Sequence, residues 1–279
     1  MTLSTHNGVS VPSFMYGTAW KKGATDALVR AAVGAGFKAI DTANQLIHYE
    51  EALVGEGLRA LEKEGVTRET LFLQTKFTST AGQDHRTPYD PAAPLTVQVR
   101  QSFESSLQHL GTDYLDSYVL HAPFQRRGLG EADWEVWAAM EELCRSGKTK
   151  TIGVSNITAA QLAQLCGEAR LKPMFVQNRC FAALGWDREV RDICRNHGII
   201  YQGFSLLTAN GKVLADREVH DIASRHGAGV AQVIFRFAMQ IGMLPLTGTT
   251  SLEHMQEDLA AETISLTDEE LRLIEGVGL

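Results

Sequence analysis

The sequence is poor in cysteine. Only four cysteines occur among its 279 residues, at Cys144, Cys166, Cys180 and Cys194. They form no C-x-x-C pair and no spacing typical of zinc ligands, which argues against a disulfide scaffold and a cysteine metal site. Scattered, unpaired thiols are typical of a protein kept in a reducing compartment. We therefore expect a cytoplasmic location and no metal site.

Positive charge is also scarce. The chain has 26 Lys and Arg against 33 Asp and Glu, a formal net charge of -7, whereas a nucleic-acid-binding surface needs an excess of basic residues. No apolar run approaches the roughly 20 residues that span a bilayer. The start, MTLSTHNGVSVP, lacks the basic and apolar regions of a signal peptide. We expect neither nucleic acid nor a membrane among the partners.

Short apolar runs of strand length are present instead, and amphipathic segments alternate with them. Eight such runs occur, at residues 12–19, 38–43, 71–77, 114–122, 150–156, 173–181, 198–207 and 242–249. Most of them lack alternation of polar and apolar residues, as is typical of parallel strands buried on both faces. The pattern predicts an α/β fold of the closed (β/α)8 TIM-barrel type. A doubly wound open sheet would usually carry a G-x-G-x-x-G turn after its first strand, and YGTAWKKGA does not match.

Glycines mark the ends of the segments between the runs. They follow the periodic stretch in LRALEKEGV, SSLQHLGT and ICRNHGII, which is the C-cap pattern of helices. Near the start, Asn7-Gly8 between two alternating runs predicts an N-terminal β-hairpin with a type I′ turn. We expect this hairpin to cover the bottom of the barrel. No linker or repeat interrupts the pattern, so residues 1–279 are expected to form one barrel domain.

Polar side chains occur where the apolar runs end. Asp41 lies at the end of the second run, Lys76 near the end of the third, and His121 near the end of the fourth. Because the carboxyl ends of the strands form the active face of such a barrel, these side chains are expected to converge. We expect Asp41 and Lys76 to form an ion pair, since either charge buried alone would be very costly.

Five motifs carry a resemblance to a known family. They are DTA at 41–43, TK at 75–76, SSLQHLGTDYLDSYVLHAP at 105–123, GVSN at 153–156 and EDL at 257–259. With them the sequence resembles the aldo-keto reductases over essentially its whole length. The resemblance implies an NAD(P)H-dependent oxidoreductase that reduces aldehydes or ketones to alcohols by hydride transfer from the nicotinamide. It also implies a catalytic tetrad of Asp, Tyr, Lys and His, in which Asp41, Lys76 and His121 match their motif positions directly.

The tyrosine of this tetrad is displaced. The family usually places it five residues after the Asp, where this chain has Leu46, which cannot transfer a proton. The helix LVGEGL indicates about two extra residues in the loop, so we expect Tyr49 to be the general acid. His48 is the alternative, and otherwise a wall of the substrate pocket. A phenol with a pKa near ~10 needs a neighbouring ammonium to stabilise its phenolate if it is to give up a proton readily.

The resemblance further implies a site for a nicotinamide cofactor. The residues expected to hold its carboxamide, nicotinamide ring and pyrophosphate are Ser155, Asn156, Gln177, Phe204, Ser205, Leu207 and Ala209. Those expected near the adenosine end are Thr247, Gly248, Thr249, His254, Glu257 and Asp258. The stretch 245–259 contains no Lys or Arg for a 2′-phosphate, so we expect NADPH as cofactor, with substantial use of NADH.

Two other functions remain open on the sequence. Lys76 could form a Schiff base in a lyase, and the displaced tyrosine is compatible with a non-enzymatic NADP-binding redox-sensing module. For the reductase, a small carbonyl compound is the expected substrate and Trp20 a wall of its pocket. The sequence ends soon after LTDEELRL, where many family members continue with a loop over the site. We therefore expect an open pocket that accepts varied carbonyl compounds. No sequence feature indicates an oligomeric state.

Overall fold

The strands of this protein form a short hairpin and a barrel. The structure is a computed structural model that describes residues 2–278. The strands are β1 (Thr2–Ser4), β2 (Ser10–Pro12), β3 (Met15–Gly17), β4 (Ala39–Asp41), β5 (Phe72–Phe77), β6 (Leu115–Leu120), β7 (Thr149–Ser155), β8 (Phe175–Arg179), β9 (Ile200–Phe204) and β10 (Met243–Thr247). The last eight are parallel and close in the order β10-β3-β4-β5-β6-β7-β8-β9. Each predicted run overlaps one of them, and the (β/α)8 prediction is confirmed.

Helices cover the outer, apolar face of the barrel. They are α1 (Thr25–Ala35), α2 (Glu51–Lys63), α3 (Leu95–Leu110), α4 (Glu131–Arg145), α5 (Ala159–Glu168), α6 (Arg188–His197), α7 (Gly211–Leu214), α8 (Arg217–Arg225), α9 (Val230–Gln240), α10 (Leu252–Ala260) and α11 (Asp268–Gly276). The core lies between the two layers. There the ring centroid of Phe14 lies 5.4 Å from that of Phe37 and 4.9 Å from that of Phe235. Within residues 2–278, every helix is too short or too polar to cross a bilayer.

The N-terminal hairpin covers the end of the barrel opposite the carboxyl ends of the strands. β1 pairs with β2 in antiparallel register. His6 Nε2 lies 3.1 Å from the carbonyl oxygen of Pro173, and Asn7 Nδ2 donates to that of Lys150 at 3.0 Å. Both partners lie at or just before the first residues of β7 and β8. The predicted hairpin at the barrel bottom is therefore confirmed.

The predicted type I′ turn of this hairpin is wrong. Such a turn needs a positive φ at both central residues, but of Asn7 and Gly8 only Gly8 has one, at 85°. The N–H of Gly8 donates to the carbonyl of Thr5 at 2.9 Å, and the N–H of Thr5 donates to the carbonyl of Val9 at 3.0 Å. The loop is therefore one residue longer than the two-residue loop of a type I′ turn, and the glycine occupies its last position with a left-handed backbone. This geometry leaves the Asn7 side chain free to reach the barrel.

Gly55 lies where α2 approaches α3 closely. A Cβ atom added there would lie 1.8 Å from the carbonyl oxygen of His109 and 2.8 Å from its carbonyl carbon. These are backbone atoms, which cannot turn aside as a flexible side chain can. The glycine thus allows the first turns of α2 to dock on α3, and α2 directly follows the loop that carries Tyr49.

Gly55→Ala is expected to lower the free energy of unfolding by about 1–3 kcal/mol or more, because the added methyl group would force α2 away from α3. Urea unfolding followed by circular dichroism measures the change. Gly34→Ala in α1 is the matched control, since a Cβ atom there enters open space, and it should be neutral or stabilise by roughly 0.5–1 kcal/mol. Equal unfolding free energies for wild type and Gly55→Ala would contradict a rigid contact between α2 and α3.

Candidate active site

A cavity of about 710 Å³ opens at the carboxyl ends of the barrel strands. Most of the residues singled out from the sequence line it: Trp20, Asp41, His48, Tyr49, His121, Ser155, Asn156, Gln177, Phe204, Ser205, Leu207, Thr247, Gly248, Thr249, His254, Glu257 and Asp258. Two predicted residues are not in the wall. Lys76 is fully buried beneath it, and the N–H of Ala209 turns back to the carbonyl of Ser205 at 2.9 Å.

An ion pair forms the floor of the cavity. Asp41 ends β4, and Lys76 lies on the neighbouring strand β5. Lys76 Nζ is 2.7 Å from each carboxylate oxygen of Asp41 and 2.8 Å from the carbonyl oxygen of Thr42. Asp41 is 3% exposed and Lys76 0%. Burial lowers the pKa of Lys76, and the charge of Asp41 opposes that shift.

Three glutamine amides form a network inside the barrel, and two of them contact the Asp41 carboxylate. Gln74 and Gln177 donate to Asp41 Oδ1 at 2.7 and 3.0 Å. Both also donate to Gln202, whose own amide donates back to Gln74 at 2.9 Å. The network supplies the hydrogen bonds that a buried ion pair needs in place of water. Gln74 and Gln202 were not predicted, although a lone glutamine within the apolar runs LFLQTKF and GIIYQGF was a usable signal.

The loop between β4 and α2 is anchored at several points. Asn44 Nδ2 donates to the carbonyl of Ser102 on α3 at 3.1 Å. Gln45 Nε2 donates to the carbonyl of Gly82 at 2.8 Å, and the Gln45 carbonyl accepts the N–H of Tyr49 at 3.0 Å. The residues beyond the usual family spacing are therefore folded into a fixed turn. This turn returns the chain to the cavity immediately before α2 begins.

Tyr49 lies above the ion pair. Lys76 Nζ is 5.3 Å from the centroid of the Tyr49 ring. The ring centroids of Tyr49 and His121 are 6.0 Å apart, with the rings inclined at 70°. Burial and, after it, the charge of Asp41 raise the pKa of Tyr49, so the phenol is protonated at neutral pH. The four residues predicted as a tetrad thus meet at one end of the cavity.

His121 follows β6, and a hydrogen bond orients its ring. Its Nδ1 lies 2.7 Å from the hydroxyl oxygen of Thr78. Burial, and then the nearby charges of Lys76 and His48, lower the pKa of His121 to about 3. The imidazole is therefore neutral at physiological pH. When the Thr78 hydroxyl donates to Nδ1, the ring proton resides on Nε2, which can then donate to a ligand.

His48 lies at the rim, beside Tyr49. Its ring centroid is 4.2 Å from that of Trp20, and its carbonyl accepts the N–H of Trp20 at 2.6 Å. Trp20 is 65% exposed, so its ring forms the outer edge of the cavity instead of an enclosed wall. Of the two side chains considered as acids, Tyr49 is the one that lies over the Lys76 ammonium.

The side chains predicted to hold a carboxamide are assembled where β7 and β8 end. Ser155 Oγ donates to the carbonyl of Gln177 at 2.6 Å, and Asn156 Nδ2 donates to that of His121 at 2.9 Å. Within residues 2–278, neither Asn156 Oδ1 nor Gln177 Oε1 accepts a hydrogen bond. Both side chains line the cavity, so two amide oxygens are available to a ligand there.

The loop after β9 contributes unpaired main-chain donors. Ser205 has a left-handed backbone, with a φ of 57°. For the residues from Ser205 to Thr208, no hydrogen bond from the main-chain N–H is described within residues 2–278. All four of these residues line the cavity. Consecutive free N–H groups next to a left-handed residue are suited to bind an anion.

A lysine that was not predicted lies at the end of the cavity that was predicted to hold the adenosine. The ammonium of Lys21 donates to the carbonyl of Gly248. The stretch 245–259, which contains no Lys or Arg, thus has a cation beside it that comes from the loop after β3. Burial lowers the pKa of Lys21. Nearby, Thr247 Oγ1 donates to Asp258 Oδ2 at 2.7 Å, and burial raises the pKa of Asp258 to about 6. The signal for Lys21 was its place directly after Trp20.

A second buried carboxylate lies on the other side of β5. Glu51, the first residue of α2, is 2% exposed. It accepts the hydroxyl of Thr75, and His109 Nδ1 lies 2.9 Å from its other oxygen. The hydrogen bond to Glu51 raises the pKa of His109, against the opposing effect of burial. These contacts tie the start of α2, two residues after Tyr49, to β5 and α3.

The stability contributed by His109 is expected to fall as pH rises. The unfolded side chain has a pKa near ~6.5, and folding raises it. The contribution is therefore fully present below that pH and is lost as pH rises through the folded pKa. Urea unfolding should show that His109→Gln costs more stability near ~pH 5 than near ~pH 8.

The control for this measurement is His85→Gln, which changes an exposed histidine in the loop after β5. It is expected to cost little at either pH. A cost of His109→Gln that is equal at both pH values would contradict the role assigned to the pair of His109 and Glu51.

The family-model match and the similar proteins agree on one family. The model of the Aldo/keto reductase family matches residues 15–278. Glyoxal reductase of Bacillus subtilis (strain 168) is 31% identical over 278 residues, which are 99% of this chain and 92% of that protein. This relative and the match to the family model confirm the prediction that the chain is an enzyme of the aldo-keto reductase type.

Solved structures agree on the fold. An aldo/keto reductase from Brucella melitensis is 27% identical, with a TM-score of 0.84 over 99% of this chain and 98% of its own. A Bombyx mori aldo-keto reductase in complex with NADP is 23% identical, with a TM-score of 0.83 over 99% of this chain and 92% of its own. At that identity it speaks for the fold alone. With the motifs, the tetrad and the family model in agreement, this chain belongs to the aldo/keto reductase family.

Proposed function

We propose that the protein reduces aldehydes or ketones to alcohols, with NADPH as the hydride donor and Tyr49 as the general acid. The observation that carries this proposal is the position of the Tyr49 ring, which lies over Lys76 and beside His121 at the closed end of the cavity. A curated relative is named glyoxal reductase, which supports a small carbonyl compound as substrate.

Tyr49 gives up its proton while negative charge develops on the carbonyl oxygen. The phenol is protonated beforehand, because burial raises its pKa. Proton transfer to the forming alkoxide creates a phenolate, which the ammonium of Lys76 stabilises. Asp41 holds that ammonium in place through two contacts of 2.7 Å. The ion pair therefore acts on the reaction only through the tyrosine.

His121 orients the carbonyl group. As a neutral ring it adds no charge to the site, and with Thr78 donating to Nδ1 its Nε2–H points to a ligand. A hydrogen bond to the carbonyl oxygen strengthens as that oxygen becomes negative, so it stabilises the transition state more than the substrate. His121 would thus place the oxygen within reach of the Tyr49 hydroxyl.

The cavity wall fits a nicotinamide dinucleotide. The available amide oxygens of Asn156 and Gln177 suit the NH2 group of a carboxamide. The free N–H groups after β9 suit a pyrophosphate, and Lys21 adds a cation near Gly248. Bound NADPH would supply the hydride.

The two other functions receive less support from the geometry. A Schiff base needs an accessible and uncharged amine, whereas Lys76 Nζ is fully buried and donates to three oxygens. A module that only senses NADP has no need of a phenol above that ammonium. Borohydride trapping on Lys76 tests the first function, and cofactor binding without aldehyde-dependent NADPH oxidation would support the second.

Tyr49→Phe is expected to lower kcat for aldehyde reduction by about 10²–10⁴-fold, because the general acid is lost. The Kd for NADPH, measured by fluorescence titration, should be nearly unchanged, since the ring remains. Tyr114→Phe, at the other end of the barrel before β6, is the matched control and should retain full turnover. If Tyr49→Phe stays active and His48→Ala abolishes turnover, the proton donor is His48.

NADPH is expected to give a higher kcat/KM than NADH, with modest discrimination. Lys21→Met should lower kcat/KM for NADPH by about tenfold, because a charge-assisted contact with phosphate is removed. Lys22→Met changes its exposed neighbour and should have little effect. A preference of wild type for NADH above about tenfold, or ~1.4 kcal/mol, would reject NADPH as the cofactor.

A further inference from the structure

Arg179 is a charged residue of the cavity wall to which the tetrad and the predicted cofactor contacts give no role. It is the last residue of β8. Two residues earlier, Gln177 points into the barrel toward Asp41, and the residue between them, Asn178, bonds to the carbonyl of Ile157 and to Asp187. Because side chains alternate along a strand, Arg179 lies on the same side as Gln177, one step nearer the opening.

Within residues 2–278, no anionic partner is described for the guanidinium of Arg179. Its Cζ lies 5.4 Å from the centroid of the Phe181 ring, and no hydrogen bond or ion pair is described for it within residues 2–278. Arg179 is exposed, whereas the less exposed Arg68 and Arg191 are engaged with Asp116 and Glu275. A guanidinium beside an aromatic face keeps its N–H donors in its own plane, where a ligand can reach them.

The surroundings of Arg179 favour an anion. Arg179 is paired with Phe204 in the register of β8 and β9, so it lies next to residues 205–208, whose main-chain N–H groups have no partner described within residues 2–278. The carboxylates that line the cavity are engaged or distant. Asp41 is paired with Lys76, and Glu257 and Asp258 belong to α10, beyond β9 and β10.

We propose that Arg179 is an anion-recognition residue of this cavity. Its ligand is either a carboxylate on the carbonyl substrate or a phosphate group of the cofactor, both of which match the fork of donors in a guanidinium. The substrate form of the proposal rests on the proposed reductase function and names its substrate class, aldehydes or ketones that carry a carboxylate. The cofactor form requires only that the dinucleotide binds.

The test compares wild type with Arg179→Gln in two ways. Kinetics with 4-carboxybenzaldehyde and with its uncharged ester, methyl 4-formylbenzoate, isolate the effect of the substrate charge. Calorimetric titrations with NADP⁺ and with the carboxylated product, 4-(hydroxymethyl)benzoate, report binding without turnover. Arg170→Gln, an exposed arginine between α5 and β8 at the other end of the barrel, is the matched control, and thermal melts establish that each variant is folded.

Each form of the proposal has its own outcome. Recognition of a substrate carboxylate predicts that Arg179→Gln loses about tenfold to a hundredfold in kcat/KM for the charged aldehyde. The kcat/KM for the uncharged ester and the Kd of NADP⁺ would then be unchanged. Recognition of a cofactor phosphate predicts a similar rise in the Kd of NADP⁺ and equal losses for both aldehydes.

Changes below about twofold in every kinetic and binding measurement, or losses of equal size in Arg170→Gln, would overturn the proposal. A wild type that binds neither NADP⁺ nor the carboxylated product would overturn it as well. If wild type reduces neither aldehyde, the reductase function fails. The NADP⁺ titration of Arg179→Gln then still decides whether Arg179 recognises a phosphate.

Discussion

A buried ion pair constrains everything else in this site. Lys76 has no exposed surface, and Asp41, 2.7 Å away, is the main charge that opposes the lowering of its pKa by burial. Removal of either partner would leave the other buried alone, at a cost of about 3–5 kcal/mol. The remaining lone pairs of Asp41 need donors too, so amides from Gln74 and Gln177 fill space that barrels usually fill with branched aliphatic side chains.

In the proposed mechanism the ion pair acts through the phenol of Tyr49, and several contacts outside the cavity position that phenol. The loop before α2 is fixed through Asn44 and Gln45. The start of α2 is fixed through Glu51, whose partners lie on β5 and α3, and through the close approach at Gly55. A longer loop therefore does not make the site looser, because its additional residues form a turn that is bonded on both sides.

The sequence predicted more of the fold than of the fine geometry. Eight runs and their glycine stops predict the barrel, since each strand reveals itself by local apolarity. Asp41, Lys76 and His121 were found through motifs at strand ends. The roles of Lys21 and the glutamines depend on which distant segments meet, so their local signals, the place after Trp20 and a lone glutamine within an apolar run, do not reveal their partners. The hairpin turn shows the same limit, because Asn7-Gly8 indicates a turn while the register of β1 and β2 decides where the glycine falls.

The cations in and beneath the cavity differ in how far a neighbouring anion compensates their charge. This difference distinguishes the cation proposed to act in the reaction from those proposed to bind an anionic ligand. Lys76 is paired with Asp41, so in the proposed mechanism it would stabilise a phenolate without attracting anionic ligands. Lys21 contacts only a carbonyl oxygen within residues 2–278, and Arg179 has no acceptor in that range. The whole chain carries a charge of -7, which opposes the approach of anions from afar, but salt screens that repulsion beyond roughly 8–10 Å. An anionic ligand is thus held by short contacts inside the cavity and gains little from long-range steering.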